Sequence, residues 1–150
     1  MFSLIITIIS IALVVALVAA TMYYGGDTLN QGRAQADAAT LVSAAQQITG
    51  AVQMHVALEA SQPADLAALV NADYLSSVPA ALDGVFTLST ANKTLTAPVT
   101  SDDVCAILEA DGGDVYGCVE SVGTDTVFGT ADDVAFVAGT SATRVFGFKY

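Results

Sequence analysis

The sequence predicts an α+β fold, in which a long N-terminal α-helix, apolar in its first half and amphipathic in its second, packs on a small antiparallel β-sheet head. The first 26 residues contain no charged side chain. Residues 28–59 then repeat apolar side chains at spacings of three and four, which is the period of one helix face. From residue 85 onward, short alternating runs between turn residues are typical of strands. A helix followed by a run of strands indicates α+β rather than α/β.

Composition and charge set limits on domain number and on partners. The 150 residues have room for one domain and an N-terminal segment, which we divide into 1–26 (apolar transmembrane or filament-core helix), 27–60 (amphipathic half of the helix) and 61–150 (globular head). Hydrophobic residues make up 54% of the chain and charged residues 13%, which excludes a disordered protein. Four Lys and Arg against 15 acidic residues leave a net charge of −11. Direct nucleic-acid binding and attraction to anionic lipid headgroups are therefore not expected.

The apolar start predicts a membrane-inserted helix. About 20 apolar residues are enough to cross the hydrocarbon core of a bilayer. A cleaved secretory signal is the alternative, because residues 18–20 are small enough for part of a cleavage site. Such a signal carries a positively charged beginning, whereas Arg33 is the first basic residue here. The missing basic flank suggests that a leader is removed by processing and that Met1 is the mature N-terminus.

The middle of the helix changes character. Tyr23 and Tyr24 close the apolar run, as aromatic residues often do at a membrane interface. Gly25 and Gly26 follow, and each destabilises a helix by about 1 kcal/mol relative to alanine. We expect the helix to soften, bend or end at this pair. A second helical stretch then carries one apolar stripe, which the rest of the chain is expected to cover: Leu41, Ala45, Ile48, Val52 and Val56.

The head is predicted to consist of short elements. Pro63 ends the long helix, because proline cannot continue a helix from within. Ser101 followed by two aspartates is the expected opening of another helix. The remaining predicted elements are a short helix at 64–70, an extended stretch at 74–79, a hairpin of 85–90 and 93–98 around Ala91-Asn92, and strands at 115–119, 134–137 and 144–149.

The two cysteines, Cys105 and Cys118, are separated by twelve residues. A chain that faces outward lies in an oxidising compartment, where disulfides persist. A bridge closing a loop of this size would stabilise the fold by roughly 3 kcal/mol. Two buried free thiols are the alternative.

Candidate chemistry is sparse. His55, the single histidine, lies between Val52 and Val56 and is predicted to be a packed residue rather than a catalytic base. No Ser/His/Asp grouping, phosphate-binding loop or metal-spaced histidine pair is present, so we do not expect an enzyme. One stretch offers the carboxylates and turn glycines that a calcium ion uses in flexible loops, although its spacing differs from an EF-hand and a solvated acidic turn is the alternative. Its candidate ligands are Asp125, Asp132 and Asp133.

An apolar helix that becomes amphipathic, followed by Leu66-Ala-Ala-Leu-Val70 and Tyr74-Leu-Ser-Ser-Val-Pro79, resembles the type IV pilin superfamily. The Cys105/Cys118 pair resembles the disulfide-bounded C-terminal loop of pilins. The resemblance implies that the mature chain begins with an N-methylated residue after leader removal. It also implies that the apolar helices pack in the core of a filament with the heads outside.

Three positions depart from the family pattern. Ile5 stands where most members carry a glutamate that is thought to pair with a neighbour's N-terminal amine. Met1 replaces the usual phenylalanine, as in some type IVb members. A helix-breaking proline near position 22 is absent, and Gly25-Gly26 would have to loosen the helix instead. These departures point to a divergent pilin.

The resemblance therefore predicts a major pilin, the structural subunit of an extracellular filament on a bacterial cell surface, and leaves open whether the filament serves adhesion, motility, DNA or phage contact, or secretion. Its expected partners are copies of itself, the inner membrane before assembly and the pilus assembly machinery, with no cofactor other than the candidate calcium. The alternatives are a monomeric membrane-anchored binding protein with an acidic, calcium-binding head, and a minor pseudopilin of a secretion system. The residues expected to form the assembly core are Met1, Phe2, Leu4, Ile5, Ile8, Leu13, Val14 and Leu17.

Overall fold

The computed structural model describes residues 2–90, 92–121, 128, 134–135 and 144–150, and has the predicted α+β architecture. The chain divides into two compact units, Met1–Arg33 and Ala34–Tyr150. The second unit contains the second half of the long helix together with the head. In chain order the elements are α1 (Phe2–Glu59), α2 (Leu66–Asn71), β1 (Thr87–Ser89), β2 (Thr94–Val99), α3 (Asp102–Gly112), β3 (Tyr116–Ser121), β4 (Val134–Ala135) and β5 (Arg144–Lys149).

Helix α1 includes both residues of the Gly25-Gly26 pair. Of the three alternatives expected at this pair, an end of the helix is therefore excluded, while a softening or a bend there stays a prediction. The physical reason is that two glycines cost about 2 kcal/mol of helix propensity, which is small against the cooperative hydrogen bonding of a helix of 58 residues.

The second half of α1 is amphipathic as predicted. Seven of its buried residues are separated alternately by four and three positions, which keeps them on one side of the helix. Val56 is only half-buried, and His55 takes the corresponding buried position. These seven are Ala34, Ala38, Leu41, Ala45, Ile48, Val52 and His55, and the neighbouring Ala44, Thr49 and Ala51 widen the buried face.

Helix α2 begins two residues later than predicted, because Asp65 serves as its N-cap. The Asp65 carboxylate accepts a hydrogen bond of 2.7 Å from the backbone N–H of Ala68, which satisfies one of the free donors of the first turn. The chain then reverses through Asp73, which has a positive φ of 59°. The backbone N–H groups of Tyr74 and Leu75 both donate to the Leu69 carbonyl.

The sheet has five strands in the order β1-β2-β5-β3-β4, and every neighbouring pair is antiparallel. The predicted hairpin is present, since β1 pairs with β2 through Leu88 and Leu95. Strand β5 lies in the centre and pairs with β2 over its whole length, from Thr94 opposite Lys149 to Val99 opposite Arg144. The end of the chain is therefore part of the core of the head.

Helix α3 follows β2 and opens as the sequence predicts. The Ser101 hydroxyl accepts from the backbone N–H of Val104, and the helix ends at Gly113, whose φ of 55° favours glycine. Cys105 of α3 forms a disulfide with Cys118 of β3, with their Cα atoms 5.4 Å apart. The bridge predicted from the sequence is thus formed, and it ties α3 to the sheet.

One hydrophobic core joins the second half of α1 to the head. It includes the buried apolar side chains of the second half of α1, both cysteines and, from the central strands, Leu95, Val99, Phe146 and Phe148.

Candidate functional site

The first half of α1 exposes a continuous apolar surface. The large apolar side chains between Phe2 and Val18 have exposed fractions between 48% and 84%. The most apolar stretch of the helix reaches a mean hydropathy of 2.9, and none of it is buried. By length and composition, this one N-terminal helix is able to span a membrane, and a signal sequence has the same features. An apolar surface of this size calls for a second partner, whether lipid or protein.

Three hydroxyl groups in the first half of α1 are satisfied by the helix itself. Thr7 donates to the Leu4 carbonyl at 2.9 Å, Ser10 to the Ile6 carbonyl at 2.8 Å and Thr21 to the Val18 carbonyl at 2.9 Å. A hydroxyl bonded to its own helix leaves no free donor when water is removed. The surface can therefore enter an apolar environment without stranding these polar groups.

Most residues that the sequence predicts as the assembly core lie on this surface. Met1 lies outside the described residues. Tyr23 is also exposed at the end of the run, whereas nothing is described of the Tyr24 side chain. The remaining predicted residues are all exposed: Phe2, Leu4, Ile5, Ile8, Leu13, Val14 and Leu17.

The C-terminal end of α1 is held by His55. Its ring is buried, and Nδ1 lies 3.1 Å from the carbonyl oxygen of Ser61, which indicates a hydrogen on Nδ1. The ring also packs edge-on against Tyr74, with centroids 5.3 Å apart. Partial removal from water, and then the charge of Glu59 and a hydrogen bond to it, raise the pKa of the Tyr74 phenol. His55 thus joins the helix end to the chain after α2, as expected of a packed residue.

A buried cation that sequence reasoning missed lies at one end of the sheet. Arg144 is 2% exposed, forms an ion pair with Asp102, and donates from Nη1 to the Thr100 carbonyl at 3.1 Å. Beside it, the Asp83 carboxylate accepts from both the N–H and the hydroxyl of Thr100. An arginine in an otherwise apolar strand was the available signal, because a buried charge needs a partner.

Several open grooves flank the second half of α1 among the described residues, and two of them lie against α3 or the sheet. The first, of about 420 Å³, lies between α1 and α3 and is lined by Val42, Ile107 and Tyr116 among others. The second, of about 310 Å³, lies between α1, the start of β2 and the end of the chain. We call it the Lys93 groove, and its lining is Val52, Gln53, Val56, Ala57, Gln62, Lys93 and Tyr150.

The candidate calcium ligands Asp125, Asp132 and Asp133 lie outside the described residues. Among the residues that the structure describes, no group of three or more His, Cys, Asp or Glu side chains could hold a metal ion.

The best-defined feature of the described residues is the exposed apolar surface of the first half of α1, in a chain whose acidic head contains one disulfide. Comparison with protein-family models, with curated proteins and with solved structures finds no match for this chain.

Proposed function

We propose that this chain is the structural subunit of an extracellular filament of the type IV pilin kind, and that it is not an enzyme. The uncovered apolar half of α1 carries the proposal. Packing against the same segment of neighbouring copies would remove this surface from water. The gain is about 25 cal/mol for each Å² of apolar surface buried. The apolar helices would form the filament core, and the acidic heads would form its outer face.

The absence of charge in the apolar half of α1 supports this packing. Ile5 is apolar and 54% exposed, so burying it strands no charge. The family's usual contact through a glutamate at this position is then replaced by apolar packing alone. The hydroxyls bonded within the helix support the same conclusion.

In this proposal the first half of α1 occupies two environments in turn. Before assembly the apolar half would lie in the inner membrane of a bacterium, for which it is long and apolar enough. The pilus machinery would then transfer it to the filament, outside the cell, where oxidising conditions maintain the Cys105–Cys118 bridge. A monomeric membrane-anchored binding protein is the second candidate, favoured by the same membrane-length helix.

The deciding experiment is negative-stain electron microscopy of material sheared from producing cells, with mass spectrometry of the subunit. The filament proposal expects thin uniform fibres whose subunit begins at a methylated Met1. The double variant Leu13→Asp, Val14→Asp should form no fibres, since two charges would enter the core. The control is Ser77→Asp, which adds a charge to an exposed head residue and should assemble normally.

One result would reject the filament, and another would reject the packing of apolar helices as its core. Intact protein found only as monomers in the membrane fraction would favour the anchored binding protein. Normal fibres from the Leu13→Asp, Val14→Asp variant would show that another surface drives assembly. Abundance separates a major from a minor subunit, because a minor pseudopilin would not dominate the sheared material.

A further inference from the structure

The two ends of strand β2 in the head carry different charges. At one end, Lys93 directly precedes β2, and its first residue Thr94 pairs with Lys149 of β5. Lys93 is exposed, and its carbonyl accepts from the backbone N–H of Tyr150 at 3.0 Å.

The opposite end of β2 carries carboxylates. Asp83 is bound to Thr100, just beyond the last residue of the strand. Helix α3 begins there with Asp102, which pairs with Arg144, and with Asp103, which is exposed. Strand β2 has six residues, and at roughly 3.3 Å per residue the five steps from its first residue to its last span about 17 Å.

The Lys93 groove combines one cation with an apolar floor. Val52, Val56 and Ala57 of α1 form one side, and Tyr150 forms another. Among the described residues that line the groove, Lys93 is the one charged residue. A carboxylate entering the groove would meet the ammonium group of Lys93 beside apolar surface, where charge attraction is less screened than in open water.

Cations are scarce in this chain, which makes the position of Lys93 informative. The sequence has four Lys and Arg residues against 15 Asp and Glu residues. Arg144 is buried with Asp102, Lys149 lies 5.9 Å from the centre of the Phe128 ring, and Arg33 belongs to the first unit. Heads of net negative charge repel one another, so a stable contact between two heads is expected to use a cation.

We propose that the Lys93 groove receives the acidic first turn of α3, centred on Asp103, from the head of a second copy. This inference rests on the proposed filament, because it joins two heads of the same polymer. The two surfaces lie at different ends of the sheet, so the contact is heterologous and leaves a free groove on one copy and a free Asp103 on the other. Heterologous contacts that do not close into a ring generate open helical assemblies.

The test exchanges the two charges in the full chain and measures fibre protein in sheared material. Lys93→Glu should lower the fibre yield by about tenfold, since like charges then meet in the contact. Lys93→Gln, which only removes the attraction, should lower it by about threefold. The amount of oxidised subunit in the membrane fraction, read on a non-reducing gel, shows whether each variant folds.

The decisive comparison uses two double variants with the wild-type net charge. Lys93→Glu with Asp103→Lys restores a pair of opposite charges across the contact, and its yield should return to within about twofold of wild type. Lys93→Glu with Asp114→Lys should remain low. Asp114 is exposed and lies next to Val115, which accepts from the backbone N–H of Lys149, so the new lysine stands at the wrong end of the sheet.

Normal fibre yield from Lys93→Glu, or equal restoration by the two double variants, overturns the docking of Asp103 in the Lys93 groove and leaves the filament proposal intact. A wild-type preparation without fibres rejects the filament and this contact together. The failures of the two proposals are therefore distinguishable in one set of preparations.

Discussion

The two halves of α1 differ in which part of the molecule covers them. In the second half, Leu41, Ala45 and Ile48 lie on one side of the helix and are almost fully buried by the head. In the first half, Ile8 and Leu13 are more than half exposed although they are more apolar than alanine. A one-sided apolar stripe is what a single globular head can cover. A helix that is apolar on every side needs lipid or several neighbours around it.

The largest effect should come from one substitution made at two places on this helix. Ile48→Ala removes a fully buried side chain and should destabilise the head by about 2–5 kcal/mol. Ile8→Ala changes the same atoms on the uncovered half and should leave head unfolding within about 0.5 kcal/mol of wild type. Thermal unfolding of both variants in detergent, followed by near-ultraviolet circular dichroism, measures the difference.

Equal losses of head stability from Ile8→Ala and Ile48→Ala would contradict the comparison. They would mean that the first half of α1 belongs to the folding unit of the head.

Reduction of the disulfide should lower the stability of the head without changing the membrane insertion of the first half of α1. Cys105 and Cys118 are both buried, and the bridge closes a loop of 13 residues in sequence separation. Its reduction should lower the free energy of unfolding by about 3 kcal/mol. The melting temperature of the head, measured with and without reducing agent, should fall, while the share of protein in the membrane fraction should not change. An unchanged melting temperature would show that the bridge adds no stability.

Sequence patterns were sufficient for the parts of the fold that local physics determines. The stripe around Ile48, the Ser101 cap of α3 and the hairpin through Leu88 and Leu95 all follow from periodicity, capping and alternation. These signals come from neighbouring residues along the chain, so a single sequence contains them. The disulfide between the two cysteines was also predicted from the sequence, and the structure confirms it.

Features that depend on distant residues were not predicted. The pairing of Arg144 with Asp102 joins the last strand to α3 across 42 positions of the chain, and no local pattern indicates it. The sequence left open whether the long helix softens, bends or ends at Gly25 and Gly26; it does not end there, because propensity at two residues is weak against the length of the helix around them. The Lys93 groove also depends on distant residues, because it is built from three separate segments of the chain. It could therefore be recognised only in the folded structure.

A smaller effect tests how tightly the side chains of the head are packed. Gly117 of β3 and Gly147 of β5 are paired, and the ring of Phe128 lies over Gly147 where a side chain would otherwise be. Gly147→Ala would place its Cβ within the Phe128 ring and should destabilise the head by about 1–3 kcal/mol. The double variant Gly147→Ala, Phe128→Ala should lose less than the sum of the single variants in urea unfolding. Simple additivity would show that the ring does not rest on Gly147.

The smallest effect concerns how the free energy of unfolding of the head changes at alkaline pH. Burial raises the pKa of the Tyr150 phenol, and its hydroxyl is buried without a hydrogen-bond partner among the described residues. An unfolded tyrosine ionises near pH 10, so above that pH the unfolded chain loses its proton before the folded one does. The stability due to the neutral phenol is therefore complete below about pH 10 and is lost as the pH rises through the folded pKa. Tyr150→Phe cannot ionise, so its free energy of unfolding should fall less steeply between about pH 9.5 and 11.5. Tyr74→Phe should flatten the curve too, because Glu59 adds to the raised pKa of that phenol, and Glu59→Gln should reproduce part of the change. An alkaline slope that is the same in wild type and Tyr150→Phe would show that this phenol ionises as freely in the folded head as in the unfolded chain.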